Sequence, residues 1–222
     1  LILGQKVSAA GEGKITGTVK LDGPAPHMKG IDMSKDPYCV KAHATDPAHL
    51  ETYVAGANGG LQNVVLYISD WNGNALVSTA VPVFDQKNCV YSPHVLALDA
   101  GQTFKVTTSD QTAHNIHPLP NPMVNVGWNQ SQPPGAPAIE KSWKNPEMIP
   151  VQCNIHPWMH GWFIVVKGPY ATTDSNGAYT IENVPPGSYT VTAWQEAAGT
   201  QTAKVTVAAG AAATADFTFK AK

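Results

Sequence analysis

Cys153, His156 and Met159 stand in the run CNIHPWM at spacing C-x2-H-x2-M. A thiolate, an imidazole and a thioether on one short loop point to a soft metal. Copper suits them, because sulfur stabilises Cu(I) while imidazole accepts both oxidation states. Zinc takes more thiolates or keeps an open water position. The competing reading is a buried free cysteine beside a core methionine, both common in protein interiors. A loop with three donors needs one more from elsewhere, and His114 and His117 in QTAHNIHP are the candidates. Side chains alternate along a strand. His114 shares a face with apolar Ile116, whereas His117 shares one with Asn115, so His114 is expected to point inward. Ile149, Val151 and Cys153 share a parity too, which turns Cys153 inward.

The elements that must position these residues are strands. KITGTVKL (14–21), LQNVVLYIS (61–69), HVLALDAGQTFKVTT (94–108), GWFIVVK (161–167), GAYTI (177–181), SYTVTAW (188–194), AKVTV (203–207) and ADFTFK (215–220) are rich in Val, Thr, Tyr and Phe. Asn176-Gly177 marks a hairpin and Pro185-Pro186-Gly187 a turn. No sustained helical period occurs, though a short helix fits within 33–50. The class is all-β, with two sandwiches. Residues 118–150 carry eight prolines and form a long excursion, which Trp128 and Trp143 tie down by packing. The alanine-rich AAGAAATA reads as a loop between the last strands. Net charge is −2 and no Lys/Arg run occurs, so there is no electrostatic case for nucleic acid. No apolar run has the length of a membrane span.

CNIHPWM resembles the C-x2-H-P-aromatic-M loop of the cupredoxins, the small blue-copper electron carriers. YSPHVLALDAGQTFKV followed by AHNI is similar to a second pattern of that family, and the two occur in the same order. The resemblance covers residues 61–167. It implies one type 1 copper site with His114, Cys153 and His156 as equatorial ligands and Met159 as the long axial one. It further implies that Asn115 steadies the cysteine loop and that His156 reaches the surface in an apolar patch, with Pro157 and Trp158 as its candidates. Trp158 and Trp162 read equally well as core. His94, His117 and His160 are extra imidazoles near that end. For each, a solvated or hydrogen-bonded histidine is the ordinary reading and a second metal site the sharper one. His94 stands out because it shares parity with Leu96 and Leu98. His27, His43 and His49 read as surface loop residues.

DSNGAYTIENVPPGSYTVTAW resembles the carboxypeptidase regulatory-like domain, a small transthyretin-like sandwich. Its first strand, G-x-I-x-G-x-V, is matched at the other end of the chain by GKITGTV (13–19). The expected architecture is therefore a Greek-key cupredoxin sandwich inserted in, or packed beside, a second small β-sandwich. The segments are 1–26 (first strand of the regulatory-like sandwich), 27–60 (connector), 61–167 (cupredoxin) and 168–222 (the rest of that sandwich). Asp174 and Glu182 read as turn and surface charges.

Three cysteines are an odd number. One reading bridges Cys39 to Cys89 and leaves Cys153 to its ligand role; the other has three free thiols in a reducing compartment. The bridge and the family resemblance together suggest a periplasmic or extracellular location; LILG resembles the tail of an export-signal apolar region and VSA a cleavage site, but the stretch is too short to decide. The resemblance implies a one-electron carrier rather than an enzyme, with a cytochrome or a copper oxidoreductase as redox partner. The alternatives are a copper-binding or delivery protein and a cell-surface binding module with a copper site.

Overall fold

The computed structural model describes residues 11–56, 58–74 and 77–222. LILG and VSA, compared above with an export signal, lie outside the described residues. In chain order, strand β1 (Gly13–Asp22) precedes the only helix among the described residues, α1 (Pro37–Ala42). Then come β2 (Val65–Ile68), β3 (Val83–Lys87), β4 (Val90–Ser92), β5 (Val95–Asp99), β6 (Thr103–Thr108) and β7 (His114–Pro118). β8 (Gln130–Gln132), β9 (Ile139–Ser142), β10 (Glu147–Gln152), β11 (His160–Val166) and β12 (Tyr170–Thr172) follow. The last strands are β13 (Ala178–Val184), β14 (Gly187–Gln195), β15 (Gly199–Val207), β16 (Ala212–Thr214) and β17 (Phe217–Lys220). The chain is thus all-β, and no helix among the described residues is long and apolar enough to cross a membrane.

The chain divides into two units. The first comprises the described residues up to Ala25, with 55–72 and 169–222. In it β1 pairs antiparallel with β13 (Ile15↔Ile181, Gly17↔Tyr179) and parallel with β16 and β17 (Lys14↔Ala212, Val19↔Phe217). The period-2 pattern of β1 is the cause: Ile15, Val19 and Leu21 are all buried. Gly17 is required because a Cβ there would run into the Ala215 carbonyl oxygen. The second sheet has the order β12-β2-β14-β15. Asn176-Gly177 makes the turn into β13. Gly177 is left-handed at φ +74°, and the Asp174 carboxylate accepts the N–H groups of Asn176 and Ala178.

The structure draws three boundaries differently from the sequence. The strand within 61–69 belongs to this first unit, where β2 pairs with β12 and β14. Residues 26–54, read as connector, belong to the second unit. AAGAAATA contributes β16 rather than only a loop. Val65 and Leu66 are both fully buried, and an apolar run of that kind fits any interior sheet, so its partner was not readable locally.

The second unit comprises 26–54 and 73–168. Its sheets have the orders β5-β11-β10-β7-β8 and β4-β3-β6-β9. The stretch 94–108, which reads as one strand, turns at Gly101 (φ +90°) and sends β5 and β6 to different sheets. Phe84, Phe104, Phe163 and Trp143 interlock between them, with ring centroids 4.7 Å apart for Phe84–Phe163 and Phe104–Phe163. Trp128 stacks on Trp143, so the proline-rich excursion is packed down. Cys39 and Cys89 form a disulfide with Cα atoms 5.6 Å apart.

Two outcomes follow from these pairings. Removal of β1 strips β13, β16 and β17 of their common partner. Amide exchange at Tyr179 and Ile181 should then accelerate strongly, with Phe104 and Val106 unchanged; equal protection in the shortened chain would make β1 dispensable. The disulfide closes a sequence separation of 50, worth about 4 kcal/mol in the chain-entropy picture. Replacing both cysteines by alanine should lower the urea midpoint of the second unit accordingly.

Candidate metal centre

The loop Cys153–Met159 joins two neighbouring antiparallel strands, β10 and β11, whose register ends at Gln152↔His160. Cys153 N–H donates to Met159 O (3.1 Å) and Met159 N–H to His156 O (2.9 Å), so the loop closes on itself. β7 lies on the other side of β10, with Gln152 opposite His117. This brings His114, at the start of β7, to the same end. One donor atom each from His114, Cys153 and His156 lies within 4.8 Å of the others. Cys153 and His156 are 3% exposed, Met159 1% and His114 not at all.

The two imidazoles sit inside a continuous chain of hydrogen bonds. Asp110 Oδ2 is 2.8 Å from His114 Nε2, His114 Nδ1 is 2.9 Å from His156 Nδ1, and His156 Nε2 is 3.1 Å from Asp36 Oδ2. Each Nε2–H is therefore committed to a carboxylate, and the two Nδ1 atoms face each other with Cys153 Sγ 4.0 Å from His156 Nδ1. Asp110 is buried but fully bonded: it also accepts from Asn88 N–H (2.6 Å), Cys89 N–H (2.7 Å) and the Tyr38 hydroxyl (3.1 Å). Burial works against its charge, yet the His114 bond and the two backbone donors outweigh it and keep the carboxyl pKa low. Burial also opposes the His114 cation, but Asp110 and Cys153 prevail and raise its pKa to about 9. For Cys153, burial is outweighed by His114 and by the N–H groups of Asn115, His156 and Ile155, so the thiol pKa is lowered. That favours the thiolate, the form that binds metals.

Asn115 braces the loop. Its Oδ1 accepts from Asn154 N–H (2.6 Å) and Ile155 N–H (3.3 Å), and its Nδ2 donates to Asn129 Oδ1 (2.7 Å). Its own N–H points at Cys153 Sγ (3.5 Å), and His156 N–H does the same at 3.3 Å. Both are weak N–H···S contacts that favour negative charge on sulfur.

His156 is not at the surface, contrary to what the family resemblance implied. The segment before Val54 covers it. Asp36 caps helix α1, accepting Tyr38 N–H (2.8 Å) and Cys39 N–H (3.3 Å) with one oxygen while the other meets His156 and Thr112 Oγ1 (2.8 Å). Burial would raise the Asp36 pKa, but His156, Thr112 and the helix N–H groups hold it at about 2. Cys39 Sγ lies 3.9 Å from His156 Nε2, and Trp158 packs on the ring with centroids 4.9 Å apart while donating to Cys89 O. Pro157 is exposed and Trp158 half-buried. On this loop Ile155, 50% exposed, is the larger apolar surface.

Of the further imidazoles, His117 faces outward and bonds Asn154 Oδ1 (3.1 Å), away from the donor set. His94 and His160 lie together elsewhere in the unit, with ring centroids 5.3 Å apart. His43 bonds Asp46 O and Asn88 O. Asp36 and Asp110 were missed from the sequence. Asp36 had a signal, an Asp-Pro pair opening a short helix; Asp110, in a loop before β7, had none.

Residues 165–220 match the family model of the carboxypeptidase regulatory-like domain. No curated protein matches the chain. Among solved structures the chain is similar to a purple cupredoxin from Nitrosopumilus maritimus, at 20% identity and a TM-score of 0.33, covering 39% of this chain and 100% of that one. It is similar to an amicyanin mutant in its Cu(I) form, at 19% identity and a TM-score of 0.34, covering 46% of this chain and 98% of the other. A Cu-containing nitrite reductase from Thermus scotoductus SA-01 is similar at 17% identity and a TM-score of 0.34, over 45% of this chain and 25% of its own.

Proposed function

We propose that the second unit holds one copper ion and works as a one-electron carrier outside the cytoplasm, with His114, Cys153 and His156 as its strong ligands and Met159 as the weak one. The observation that carries this reading is the convergence of two Nδ1 atoms and one thiolate-prone Sγ, with both Nε2–H groups held by carboxylates. Imidazole ligands of metals commonly show that arrangement, with the second nitrogen donating to a carboxylate. A donor set of one thiolate, two imidazoles and a thioether fits copper better than zinc. Copper so bound supplies a single electron gained and lost.

The chain's own residues keep the donors still. Asp110 fixes the His114 ring, Asp36 fixes the His156 ring, and Asn115 fixes the backbone on either side of Cys153. Rigid ligands suit a carrier, because little has to move between charge states. Burial of all three strong donors favours retention of an ion, whereas delivery to a partner calls for accessible ligands that can be exchanged. The same burial leaves little access for a substrate, in keeping with a carrier rather than an enzyme. The exported location draws on the Cys39–Cys89 bridge. A cytochrome or a copper oxidoreductase would meet the ligand loop at Ile155 and Pro157, and an apolar contact of that size suits brief encounters.

The test is the visible and EPR spectrum of the copper-loaded, oxidised protein. An intense thiolate charge-transfer band should be present, absent in Cys153→Ser and severely perturbed in His114→Ala. His117→Ala should leave it nearly unchanged. A colourless wild-type protein with bound Cu(II) would sink the reading.

Asp36 gives a sharper check. Asn at this position still caps α1, so Asp36→Asn should cost a few tenths of a kcal/mol there, against about 1 kcal/mol for Asp36→Ala. Both lose the negative acceptor for His156 Nε2–H. The expected outcome is a shifted copper spectrum in both variants, with only Asp36→Ala clearly destabilised in urea. A spectrum identical to wild type in Asp36→Asn would reduce Asp36 to a helix cap.

A further inference from the structure

His94 and His160 take no part in the Cys153 donor set. We propose that they form a second site for a divalent cation of the zinc or copper(II) class, with the Glu51 carboxylate supporting His94.

The backbone brings the two rings together. β5 and β11 run parallel with Val95 opposite Trp162, and Trp162 N–H donates to His94 O at 2.9 Å. Gly161 permits this approach, since a Cβ there would stand 2.7 Å from the same oxygen. His94 precedes β5 and His160 opens β11, so both imidazoles are mounted on the ends of paired strands. Ligands on regular elements are held more tightly than ligands on free loops.

The chemistry of the two imidazoles matches a borderline cation. One ring nitrogen of each histidine lies within 4.8 Å of the other. His160 Nδ1 donates to Trp158 O at 3.0 Å, which sets the tautomer and makes Nε2 the lone-pair nitrogen. A backbone carbonyl behind a metal-binding imidazole is a common support. Glu51 Oε2 lies 3.7 Å from His94 Nδ1, too long for a hydrogen bond. A tetrahedral ion with bonds of about 2.0–2.1 Å spaces its ligands roughly 3.3 Å apart, so the two ring nitrogens reach that spacing with small side-chain rotations, while the carboxylate lies beside His94 as a support of the kind metal-bound imidazoles use. His94 is 4% exposed, whereas the Glu51 side chain is 41% exposed. Glu51, His49, Trp158 and Met159 line one hollow with the two histidines, which gives an ion a way in. Two neutral imidazoles leave the positive charge of a divalent ion in place, the nearby Glu51 carboxylate offsets part of it, and solvent molecules can complete the coordination.

Zinc titration into the full chain tests the assignment, with bound metal counted after dialysis. Zn2+ can also occupy the Cys153 donor set, so the count is taken in wild-type protein and in Cys153→Ser. In each background His160→Gln should lower the count by one zinc per chain. Glu51→Gln, a change at a partly exposed residue with little bearing on folding, should weaken that same zinc at least tenfold, and His117→Ala should leave it unaltered. A count that His160→Gln and Glu51→Gln leave unchanged in both backgrounds would overturn the site and leave an ordinary histidine pair beside a carboxylate. Because Cys153→Ser removes the copper thiolate, failure here and failure of the copper reading give different results.

Discussion

Two imidazoles facing each other in a protein interior need a partner behind each ring, and the second unit is organised around that need. Asp110 and Asp36 supply the partners, completing a chain from carboxylate through two histidines to carboxylate. Burying charge is costly unless every oxygen is bonded. Asp110 meets that condition with four donors, drawn from β7, from the turn between β3 and β4, and from α1. One carboxylate therefore ties three distant pieces of chain to the donor set.

The turn between β3 and β4 shows how far this constraint reaches. Asn88 and Cys89 both have positive φ, 55° and 57°. Two-residue hairpins of this shape usually carry glycine at the second position, because a side chain there is strained. Here the second position is a cysteine bridged to Cys39. The Asp110 carboxylate takes both N–H groups of the pair, offsetting the strain, and the bridge pins α1 so that Asp36 stays over His156. Disulfide, turn and helix cap thus form one device that covers the histidine edge. On this loop Ile155 and Pro157 are exposed, whereas the ring of His156 is not.

The chain passes between its two units more than once: 26–54 and 73–168 belong to one, and the described residues up to Ala25, 55–72 and 169–222 to the other. β1 supplies the strand that β13, β16 and β17 share, and β2 is inserted between β12 and β14. Each unit is thereby closed by segments remote in sequence. Strands as short as β2, β12 and β16, of three or four residues, carry too little local information to choose among such partners.

The residues of the candidate site could be picked out in the sequence because their chemistry is local. C-x2-H-x2-M places two sulfur groups and an imidazole on one loop whatever surrounds it, and strand parity alone separated buried His114 from outward His117. Alternation and turn residues likewise determined the all-β class, and the G-x-I-x-G-x-V pattern marked β1 as a partner for the C-terminal strands. Tertiary structure alone decided what lies behind each donor. In sequence Asp110 is an ordinary loop aspartate and Asp36 signals no more than a helix cap, and only folding puts one behind each ring. It alone decided that 26–54 roofs His156, and that β2 joins β12 and β14. The physical reason is one: local pattern specifies which face of a strand or loop turns inward, whereas hydrogen-bond partners and sheet neighbours are supplied by segments tens of residues away.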